Sequence, residues 1–464
     1  MKPVRFIDLF AGIGGLRKGF ENAFERLGLE TECVMTSEIK PHAIKVLEDN
    51  FKHKKFVGDI TKIKNSEIPD FDFLLAGFPC QAFSSAGKRL GFLDTRGTLF
   101  FEVERILAAK KPYGFLLENV EGLIKHDPDP EEKNPEMGRT LRTILKSLES
   151  LGYMVTWELL DSKYFGVPQS RKRVFIVGTL DKKISLKNFK KKSAKLKDIL
   201  ERGLPVHDSH FTRCLLKYYK PDELYGKSIK DKRGGKNNIH SWDIALKGQV
   251  SEEQKELLSL LLKERRRKYW AERKGIAWMD GMPLTLEEIS TFFPHPNLKE
   301  MLDDLVNKGY LKYEHPKDLV EITLENGKKT KTRKPRTDLE KGYNIVTGKL
   351  SFEFSKILDP NDIAPTLVAT DVSRIGVVDG EGIRQLTTKE GARLFGFPDD
   401  FKFNLDKKEE VFDLLGNTVV VPVVEAIAER LAKAYLNDTD EQIYENTDVD
   451  TKEFNLFTYN DFPV

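Results

Sequence analysis

The feature that most constrains the fold is an alternation of short apolar runs with helix-like segments through residues 1 to about 180. Each of the first four runs is followed by a stretch with helical character, and such alternation is typical of βαβ units with a parallel sheet. The sequence therefore predicts an α/β domain at the N-terminus. The predicted buried strands are VRFIDLF, the run around Cys33 to Met35, FDFLLAG, GFLLENV and RVFIVG.

Length and composition set the outer limits. A chain of 464 residues is too long for one ordinary core, which predicts two domains or one domain with a large insertion. With 39% hydrophobic and 32% charged residues, we expect a soluble globular protein. The 76 basic and 73 acidic residues nearly balance, so net charge indicates no partner. Three cysteines suit a reducing cytoplasm, and we expect neither a signal peptide nor a membrane span.

The sequence pattern changes at two points along the chain. From residue 181 the sequence becomes Lys-rich and then lacks regular periodicity, which predicts an insertion over residues 181–362. The pattern typical of an α/β domain returns over residues 363–436, and an acidic tail covers residues 437–464. The catalytic domain is therefore predicted to be discontinuous, and the helix after GNTV is expected to pack beside the first glycine turn.

The segment FIDLFAGIGG, from Phe6 to Gly15, is typical of a strand that runs through a glycine turn into a helix. Such a turn lets a ligand approach the backbone and the free N–H groups at the helix start. An ordinary tight turn explains the glycines equally simply. Glu38 and Asp59 follow the next two apolar runs, where carboxylates can bind a ribose hydroxyl and an amino group, although each acid alone is also a plausible strand-end cap.

A second group of polar residues lies at other strand ends. Cys80, in GFPCQAFSSAG, follows the strand FDFLLAG, and a nucleophilic thiol there needs a cation or helix N-terminus to lower its pKa. Glu118 ends GFLLENV, and Arg171 and Arg173 precede RVFIVG. A buried structural cysteine and a solvated arginine pair are the alternative interpretations.

Taken in order, these segments resemble the cytosine-C5 DNA methyltransferase family of bacterial restriction–modification systems. The resemblance covers most of residues 1–180 and 363–436, and the insertion stands where that family keeps its target-recognition domain. It implies a Rossmann-like S-adenosylmethionine-dependent sheet with an inserted mixed α+β domain. The motifs that carry it are FIDLFAGIGGLRKGF, GFPCQAFS, DTRGTLFFEVERI, ENVEGL, QSRKR, RQLTTKEGARLFGFP and LGNTVVVPVV.

The resemblance implies a role for each matching residue. Cys80 attacks C6 of a cytosine flipped out of the duplex, and Glu118 engages N3 and the exocyclic amine. Arg173 contacts the base O2 and Glu118, and Arg171 holds nearby backbone and phosphate. S-adenosylmethionine is expected to contact Phe10, Gly12, Gly14, Gly15, Glu38, Ile39, Asp59, Ile60, Pro79, Leu99, Asn417 and Val419.

The same resemblance implies double-stranded DNA as substrate, with a loop over residues 81–98 that closes on the flipped base. Gln81, Ser84, Lys88 and Arg96 are its candidate DNA contacts. We further expect a monomer in the bacterial cytoplasm, associated with the nucleoid, and a cognate restriction endonuclease encoded nearby.

Within the insertion, the pattern of residues 284–336 predicts two short helices, a strand and a hairpin with an Asn326–Gly327 turn. This order of elements resembles a winged-helix module. The second helix exposes acids that would repel phosphate, which favours a packing role over groove reading. Basic residues of the hairpin are better DNA contacts: Lys328, Lys329, Lys331 and Arg333. Two other basic runs, 263–274 and 182–197, are weaker candidates, because a charge run is usually a solvated face.

Other functions are compatible with parts of the sequence. An RNA cytosine methyltransferase of similar architecture and a catalytically silent DNA-binding protein remain alternatives, and a nicotinamide-dependent oxidoreductase leaves the Pro-Cys-Gln segment unexplained. The motif of amino methyltransferases does not occur. His207, His210 and Cys214 have only loosely metal-like spacing, so no metal is expected.

Overall fold

A computed structural model describes most of the chain. The described residues are 2–79, 99–129, 136–232, 234–277, 281–323, 329–347, 352–367, 372–437 and Tyr444. They form two compact units. The first comprises Met1–Ile199, Ile363–Thr370 and Thr388–Val464, and the second comprises Leu200–Asp362 and Asp371–Thr387.

The first unit is built on a seven-stranded sheet in the order β3-β2-β1-β4-β5-β7-β6. Strand β7 runs antiparallel to both its neighbours, and the remaining pairs are parallel. The predicted α/β class is thus confirmed. The five predicted strands correspond to β1, β2, β4, β5 and β7, the apolar run before Asp59 marks β3, and β6 was not predicted. The strands are β1 Val4–Leu9, β2 Thr31–Ser37, β3 Phe56–Val57, β4 Phe73–Ala76, β5 Gly114–Val120, β6 Met154–Asp161 and β7 Lys172–Thr179.

The reversed direction of β7 places the candidate site. Because β7 is antiparallel, its amino end lies beside the carboxyl ends of β5 and β6, with Val120 paired to Arg173 and Asp161 paired to Lys172. Arg171, just before β7, and Arg173, at its start, therefore reach the sheet edge at which β4 and β5 end. Helices α1 Gly15–Arg26, α2 Pro41–Asn50, α3 Leu99–Lys110 and α4 Arg139–Ser150 connect the strands.

The second unit has two hydrophobic clusters. One contains Phe211, Ile229 and Phe354, and the other contains Trp242, Leu258 and Leu302. Its helices are α5 His210–Tyr218, α6 Glu252–Glu264, α7 Lys268–Arg273, α8 Leu286–Ser290 and α9 Leu298–Asn307. Its strands are β8 Ser228–Ile229, β9 Asn238–Ile239, β10 Leu311–Glu314, β11 Lys317–Thr323, β12 Lys329–Pro335, β13 Gly342–Ile345, β14 Lys356–Ile357, β15 Ile375–Asp379 and β16 Gly382–Gln385.

Strands of the second unit form three sheets. Five strands are ordered β16-β15-β14-β8-β9, β10 pairs with β13, and β11 pairs with β12. The helix pair α8–α9 and the hairpin β11–β12 thus occur where the winged-helix pattern predicts them. However, the partner of β10 lies at Gly342–Ile345, beyond the predicted limit at residue 336. The Asn326–Gly327 turn lies outside the described residues.

The chain returns to the first unit through α10 Thr388–Leu394, α11 Lys408–Asn417 and α12 Val421–Tyr435. Helix α12 packs against α1 at a position where α1 has no side chain. A Cβ on Gly19 would lie 2.6 Å from Cβ of Val424, and one on Gly15 would lie 2.7 Å from Oγ1 of Thr418. The segment after GNTV therefore packs beside the glycine turn, as the sequence predicted.

The unit boundaries differ from the sequence-based limits of the insertion in two places. Residues 181–199 belong to the first unit, and residues 371–387 belong to the second. The first difference has a local cause. Lys192 donates its N–H to the carbonyl of Tyr164 and accepts the N–H of Gly166, and these hydrogen bonds join residues 190–192 to the first unit.

One helical stretch among the described residues, Lys408–Tyr435, is long and apolar enough to cross a membrane by length and composition alone. Within its most apolar window, 67% is buried inside the protein. Core helices of soluble proteins give the same result, so this is weak evidence for a span.

Candidate active site

A cavity of about 470 Å³ opens in the first unit at the edge where β1, β2, β4 and β5 end. In open parallel sheets this edge is where ligands bind, and the volume is in the range usual for cofactor sites. Predicted residues that line it are Phe10, Gly12, Glu38, Ile39, Asp59, Ile60, Pro79, Leu99, Glu118, Arg171, Arg173 and Asn417.

The glycine turn forms one wall of this cavity. Phe10, Gly12 and Gly14 all have positive φ, at 56°, 56° and 80°. For a phenylalanine this backbone conformation is unusual and often marks a functional turn. Gly14 is also required for space, because a Cβ there would lie 2.5 Å from the ring of Phe51. A Cβ on Gly12 would meet nothing within 4 Å, so its surface is open to a ligand.

Glu38 and Ile39 form the next part of the wall. Oε2 of Glu38 accepts the backbone N–H of Gly12 at 2.7 Å, and Oε1 accepts those of Ile39 and Lys40 at 2.8 Å. These bonds fix the carboxylate against the glycine turn. Ile39 is 70% exposed although it is apolar, which provides a surface on which a flat ring can pack.

Asp59 lies after β3, with its carboxylate on the cavity. Its Oδ1 accepts the N–H of Thr61 at 3.1 Å and the hydroxyl at 2.7 Å. These two hydrogen bonds hold the pKa of Asp59 below its usual value. Asp59 therefore caps a helical turn, which is the alternative role given to it above, and it also lines the cavity.

Glu118 and Arg173 form the charged centre of the site. Nε of Arg173 lies 3.0 Å from Oε1 of Glu118, and both side chains are mostly buried. Burial raises the pKa of Glu118 above its usual value, while the guanidiniums of Arg173 and then Arg171 oppose that rise. A carboxyl with a raised pKa is suited to hold and deliver a proton near neutral pH.

Arg171 has a different role from Arg173. It is 2% exposed, and its guanidinium donates to the carbonyls of Leu367 at 3.1 Å and Gly416 at 2.7 Å. Burial lowers the pKa of Arg171, yet an arginine stays charged at neutral pH. Arg171 thereby fixes the segment that carries Asn417. The predicted contact of Arg171 with nearby backbone is therefore present. Because the side chain is so buried, it has little surface left for a phosphate.

Asn119 connects β5 to the turn after β4. Its amide donates to the carbonyl of Phe78 at 3.0 Å, and its Oδ1 accepts the N–H of Val120 at 2.8 Å. The residue is buried, so these bonds replace water and hold the turn in place. That turn leads through Pro79 to Cys80, which lies outside the described residues.

Not every predicted residue lines the cavity. Gly14, Gly15 and Val419 lie behind it, where Val419 contacts the start of α1. Of the candidate DNA contacts, Gln81, Ser84, Lys88, Arg96 and Lys328 lie outside the described residues.

The structure adds lining residues that the sequence analysis did not select. Five of them stand inside motifs already identified, and three more are chain neighbours of Glu38, Ile39 or Asp59, so a usable local signal existed. Ala43 and Leu414 are brought to the cavity by folding, and no local pattern marks them. The added residues are Ser37, Lys40, Ala43, Gly58, Gly77, Phe78, Asn119, Val120, Leu414 and Gly416.

The basic hairpin of the second unit has a regular register. Lys331 pairs opposite Glu321, and Arg333 pairs opposite Leu319. Because side chains alternate along a strand, residues 331 and 333 share one face and Lys334 lies on the other. Lys331 and Arg333 are exposed.

Within the described parts of the chain, no three His, Cys, Asp or Glu side chains are grouped so that they could hold a metal ion. Cys214 lies near His210, with Sγ 3.6 Å from Nε2. His207 instead lies 3.0 Å from Glu353.

Comparison with known proteins decides the family. The model of the family described as C-5 cytosine-specific DNA methylase matches residues 4–433. This chain is a C-5 cytosine-specific DNA methylase. The match spans both units and includes every segment that lines the cavity of this methylase.

Individual relatives agree with the family. The methylase is 59% identical over 432 residues to Type II methyltransferase M.NlaIV of Neisseria lactamica, covering 93% of this chain and 99% of that one. It is 58% identical over 431 residues to Type II methyltransferase M.NgoBV of Neisseria gonorrhoeae, with the same coverage. The solved S. pombe Dnmt2 methyltransferase has 16% identity and a TM-score of 0.50 over 94% of this chain and 99% of that one, which shows a shared fold.

Proposed function

We propose that this methylase modifies C5 of one cytosine within a specific duplex sequence, with S-adenosylmethionine as methyl donor and Cys80 as nucleophile. The observation that carries the proposal is the ion pair of Glu118 with Arg173, 3.0 Å apart, on the wall of a cavity that also presents Glu38 and Asp59. A proton donor and two binding carboxylates meet at the sheet edge where the strand before Cys80 ends.

The cavity residues fit S-adenosylmethionine. The fixed carboxylate of Glu38 can accept from ribose hydroxyls, and Asp59 can accept from an adenine amino group. The exposed face of Ile39 offers an apolar surface for the adenine ring, and bare Gly12 leaves space beside the backbone. When bound, the donor supplies an electrophilic methyl on sulfur.

The chain's own groups perform the remaining chemistry. The thiolate of Cys80 adds to C6 of the cytosine, and the proton on Glu118 moves to N3, so that C5 acquires enamine character. Arg173 holds Glu118 and stabilises its carboxylate once the proton has left. After C5 gains the methyl group, a base removes the C5 proton and the sulfur–C6 bond breaks to release the Cys80 thiolate. N3 returns its proton to the Glu118 carboxylate, which restores the aromatic neutral base.

Access to C6 requires the base to leave the helix. A thiolate cannot reach C6 of a stacked cytosine, and extrusion costs a few kcal/mol. We propose that residues 81–98 cover the extruded base, and that the second unit selects the sequence while the first supplies the chemistry. Gln81, Ser84, Lys88 and Arg96 stay candidate DNA contacts.

The relatives' names indicate the biological setting. Both are called Type II methyltransferases, and we propose that this chain is likewise the modification enzyme of a restriction–modification system. A cognate endonuclease, a monomeric state and action on the nucleoid in the bacterial cytoplasm belong to the same proposal.

Transfer of labelled methyl groups tests the proposal. Wild-type protein with S-adenosylmethionine should label duplex DNA and leave transfer RNA unlabelled. Cys80→Ser should retain donor binding and lose more than about 99% of turnover, a rise in barrier of roughly 2.7 kcal/mol. Duplex DNA with 5-fluorocytosine at the target should trap a covalent complex on Cys80, because elimination needs a C5 proton.

Three results would contradict the proposal. Preferential labelling of transfer RNA would favour the RNA alternative. Turnover of Cys80→Ser above about one per cent of wild type would remove the cysteine from the chemistry. Donor binding without any transfer to DNA would favour a catalytically silent binding protein.

A further inference from the structure

A second cavity of about 580 Å³ lies in the first unit, beyond strand β7 from the candidate active site. One wall is the end of β6 with the turn that follows it, and the other is the segment 186–191. Four lysines line this groove: Lys163, Lys172, Lys187 and Lys191. We call it the lysine groove.

The lysine groove has fixed walls. Lys192 donates its N–H to the carbonyl of Tyr164 at 2.8 Å and accepts from the N–H of Gly166 at 3.0 Å. The ring of Phe189 packs on Phe165 with centroids 5.4 Å apart, and Arg430 lies 3.8 Å from the Phe189 centroid. These contacts hold residues 186–191 against the turn after β6, so the spacing between the lysines is set by the fold.

An exposed aromatic ring organises the cations. Tyr164 is 42% exposed, with Nζ of Lys163 at 4.9 Å and Nζ of Lys191 at 4.8 Å from its ring centroid. Cation–π attraction favours this arrangement and keeps both ammonium groups near one surface. The ammonium groups therefore stand where one extended anion can contact both.

Acidic groups in the groove do not cancel this charge. Asp161 is buried, accepts from the hydroxyl of Ser170 at 2.9 Å and lies 3.6 Å from Lys163. Glu158 is the second acid of the groove, and Lys172 lies 3.7 Å from Glu121, so two of the four lysines, Lys163 and Lys172, have a carboxylate nearby. Lys187 and Lys191 pair with no carboxylate among the described residues. Lys190, Lys192, Lys195 and Lys197 are exposed in the same segment, which extends the positive field.

The lysine groove neighbours the catalytic centre. Arg173, which pairs with Glu118, is matched in register to Leu160 on β6, and Lys172 is matched to Asp161. Two strand spacings separate β5 from β6, which is about 10 Å. At 3.4 Å rise per base pair, that distance corresponds to about three base pairs of duplex.

We propose that the lysine groove binds backbone phosphates of the duplex that flanks the target, about three or more base pairs from the methylated cytosine. Phosphates along a strand form the extended anion that fits several fixed ammonium groups at one surface. Such contacts are independent of sequence, so they add affinity and positioning to whatever site is chosen. The catalytic unit would then supply part of the DNA affinity itself.

A charge-neutralised variant tests this inference on duplexes of two lengths. The variant K163Q/K187Q/K191Q leaves Lys172 intact, because its neighbours Arg171 and Arg173 line the active site. On a duplex with ten flanking base pairs, we expect at least tenfold weaker binding at 0.15 M salt. The slope of log affinity against log salt should fall by up to about one unit per lost contact. On a duplex with two flanking base pairs, affinity should change less than twofold.

Two controls accompany the variant. K45Q/K52Q/K54Q makes the same charge change near β2 and β3, at the opposite edge of the sheet, and should leave both affinities unchanged. K163R/K187R/K191R retains the charges and should bind the long duplex like wild type. Turnover at saturating DNA, donor binding and thermal midpoint should match wild type in every variant.

Specific outcomes would overturn the inference. Equal loss on the long and short duplex would move the contact to the target itself. An equal loss of affinity in the K45Q/K52Q/K54Q control would show that the effect depends on net charge and not on the lysine groove. If K163Q/K187Q/K191Q binds both duplexes like wild type, the lysine groove is a solvated surface that does not contact DNA.

Discussion

Glu118 and Arg173 lie on neighbouring antiparallel strands, and Nε of the arginine stands 3.0 Å from Oε1 of the glutamate. This contact exists because β7 reverses direction, which brings the start of one strand beside the end of another. Burial of Glu118 favours the protonated acid, and the cation beside it limits that preference. Two opposed effects therefore set the pKa of Glu118, which we propose as the proton donor to the base.

Glu118→Gln should lower turnover by about 10² to 10⁴-fold, the usual contribution of a positioned acid, and leave donor binding within twofold. Glutamine keeps the size of the side chain but cannot deliver a proton to N3. Single-turnover methylation and donor titration measure the two effects separately. A variant with more than a tenth of wild-type turnover would exclude Glu118 as the proton source.

The pH profile provides a second readout of this pair. If the protonated acid is required, the rate falls as pH rises through the pKa of Glu118. Arg173 lowers that pKa, so Arg173→Leu should move the falling limb to higher pH as well as reduce the rate. A shift to lower pH would contradict the assignment.

Gly19→Ala should destabilise the protein by about 1–3 kcal/mol through overpacking. The added methyl group would lie 2.6 Å from Cβ of Val424 and 3.0 Å from the carbonyl of Val421, and this clash outweighs the helix propensity gained. Adding Val424→Gly removes the Cβ that clashes, so the double variant should lose less stability than the sum of the two single variants. Denaturant unfolding of the two single variants and the double variant measures the coupling, and strictly additive losses would show that the helices separate instead.

Asp8 should make stability depend on pH. It is fully buried on β1, its carboxylate has no hydrogen-bond partner among the described residues, and burial raises its pKa to about 8 while Arg17 opposes the rise. Because the unfolded value is near 4, the native state holds an extra proton between about pH 4 and 8. The free energy of unfolding contributed by this group therefore falls as pH rises through that window.

Asp8→Asn removes this titration, so its thermal midpoint relative to wild type should increase from pH 5 to pH 8. Asp70→Asn is the matched control, since the Asp70 side chain is 79% exposed and its effect should be the same at both pH values. A midpoint difference for Asp8→Asn that stays constant would show that the buried carboxyl is ionised throughout.

Neutralising Lys328, Lys329, Lys331 and Arg333 together should weaken binding to all DNA similarly and leave the methylated sequence unchanged. Phosphate contacts carry no sequence information, and each one lost should flatten the salt slope by up to about one unit. Lys334→Gln, on the other face of β12, is the control. New methylated sequences with an unchanged salt slope would instead make the hairpin a base reader.

The sequence by itself determined the α/β class, most strands of the main sheet and most residues that line the cavity. Alternating apolar runs predict buried parallel strands, and polar residues after such runs must meet at one sheet edge. That reasoning placed Glu38, Asp59 and Glu118 at strand ends, whereas Arg173 stands at the start of its strand and reaches the same edge only because β7 is antiparallel. Strand β6 was missed, because its burial pattern is mixed and lacks a continuous apolar run.

Only the tertiary structure decided how distant segments meet. Arg171 donates to the carbonyl of Gly416, 245 residues away. This relationship leaves no local pattern, since backbone carbonyls look alike in every sequence. The lysine groove is a similar case: the sequence indicates only a charge run at 182–197, and the hydrogen bonds of Lys192 with Tyr164 and Gly166 bring that run against the end of β6.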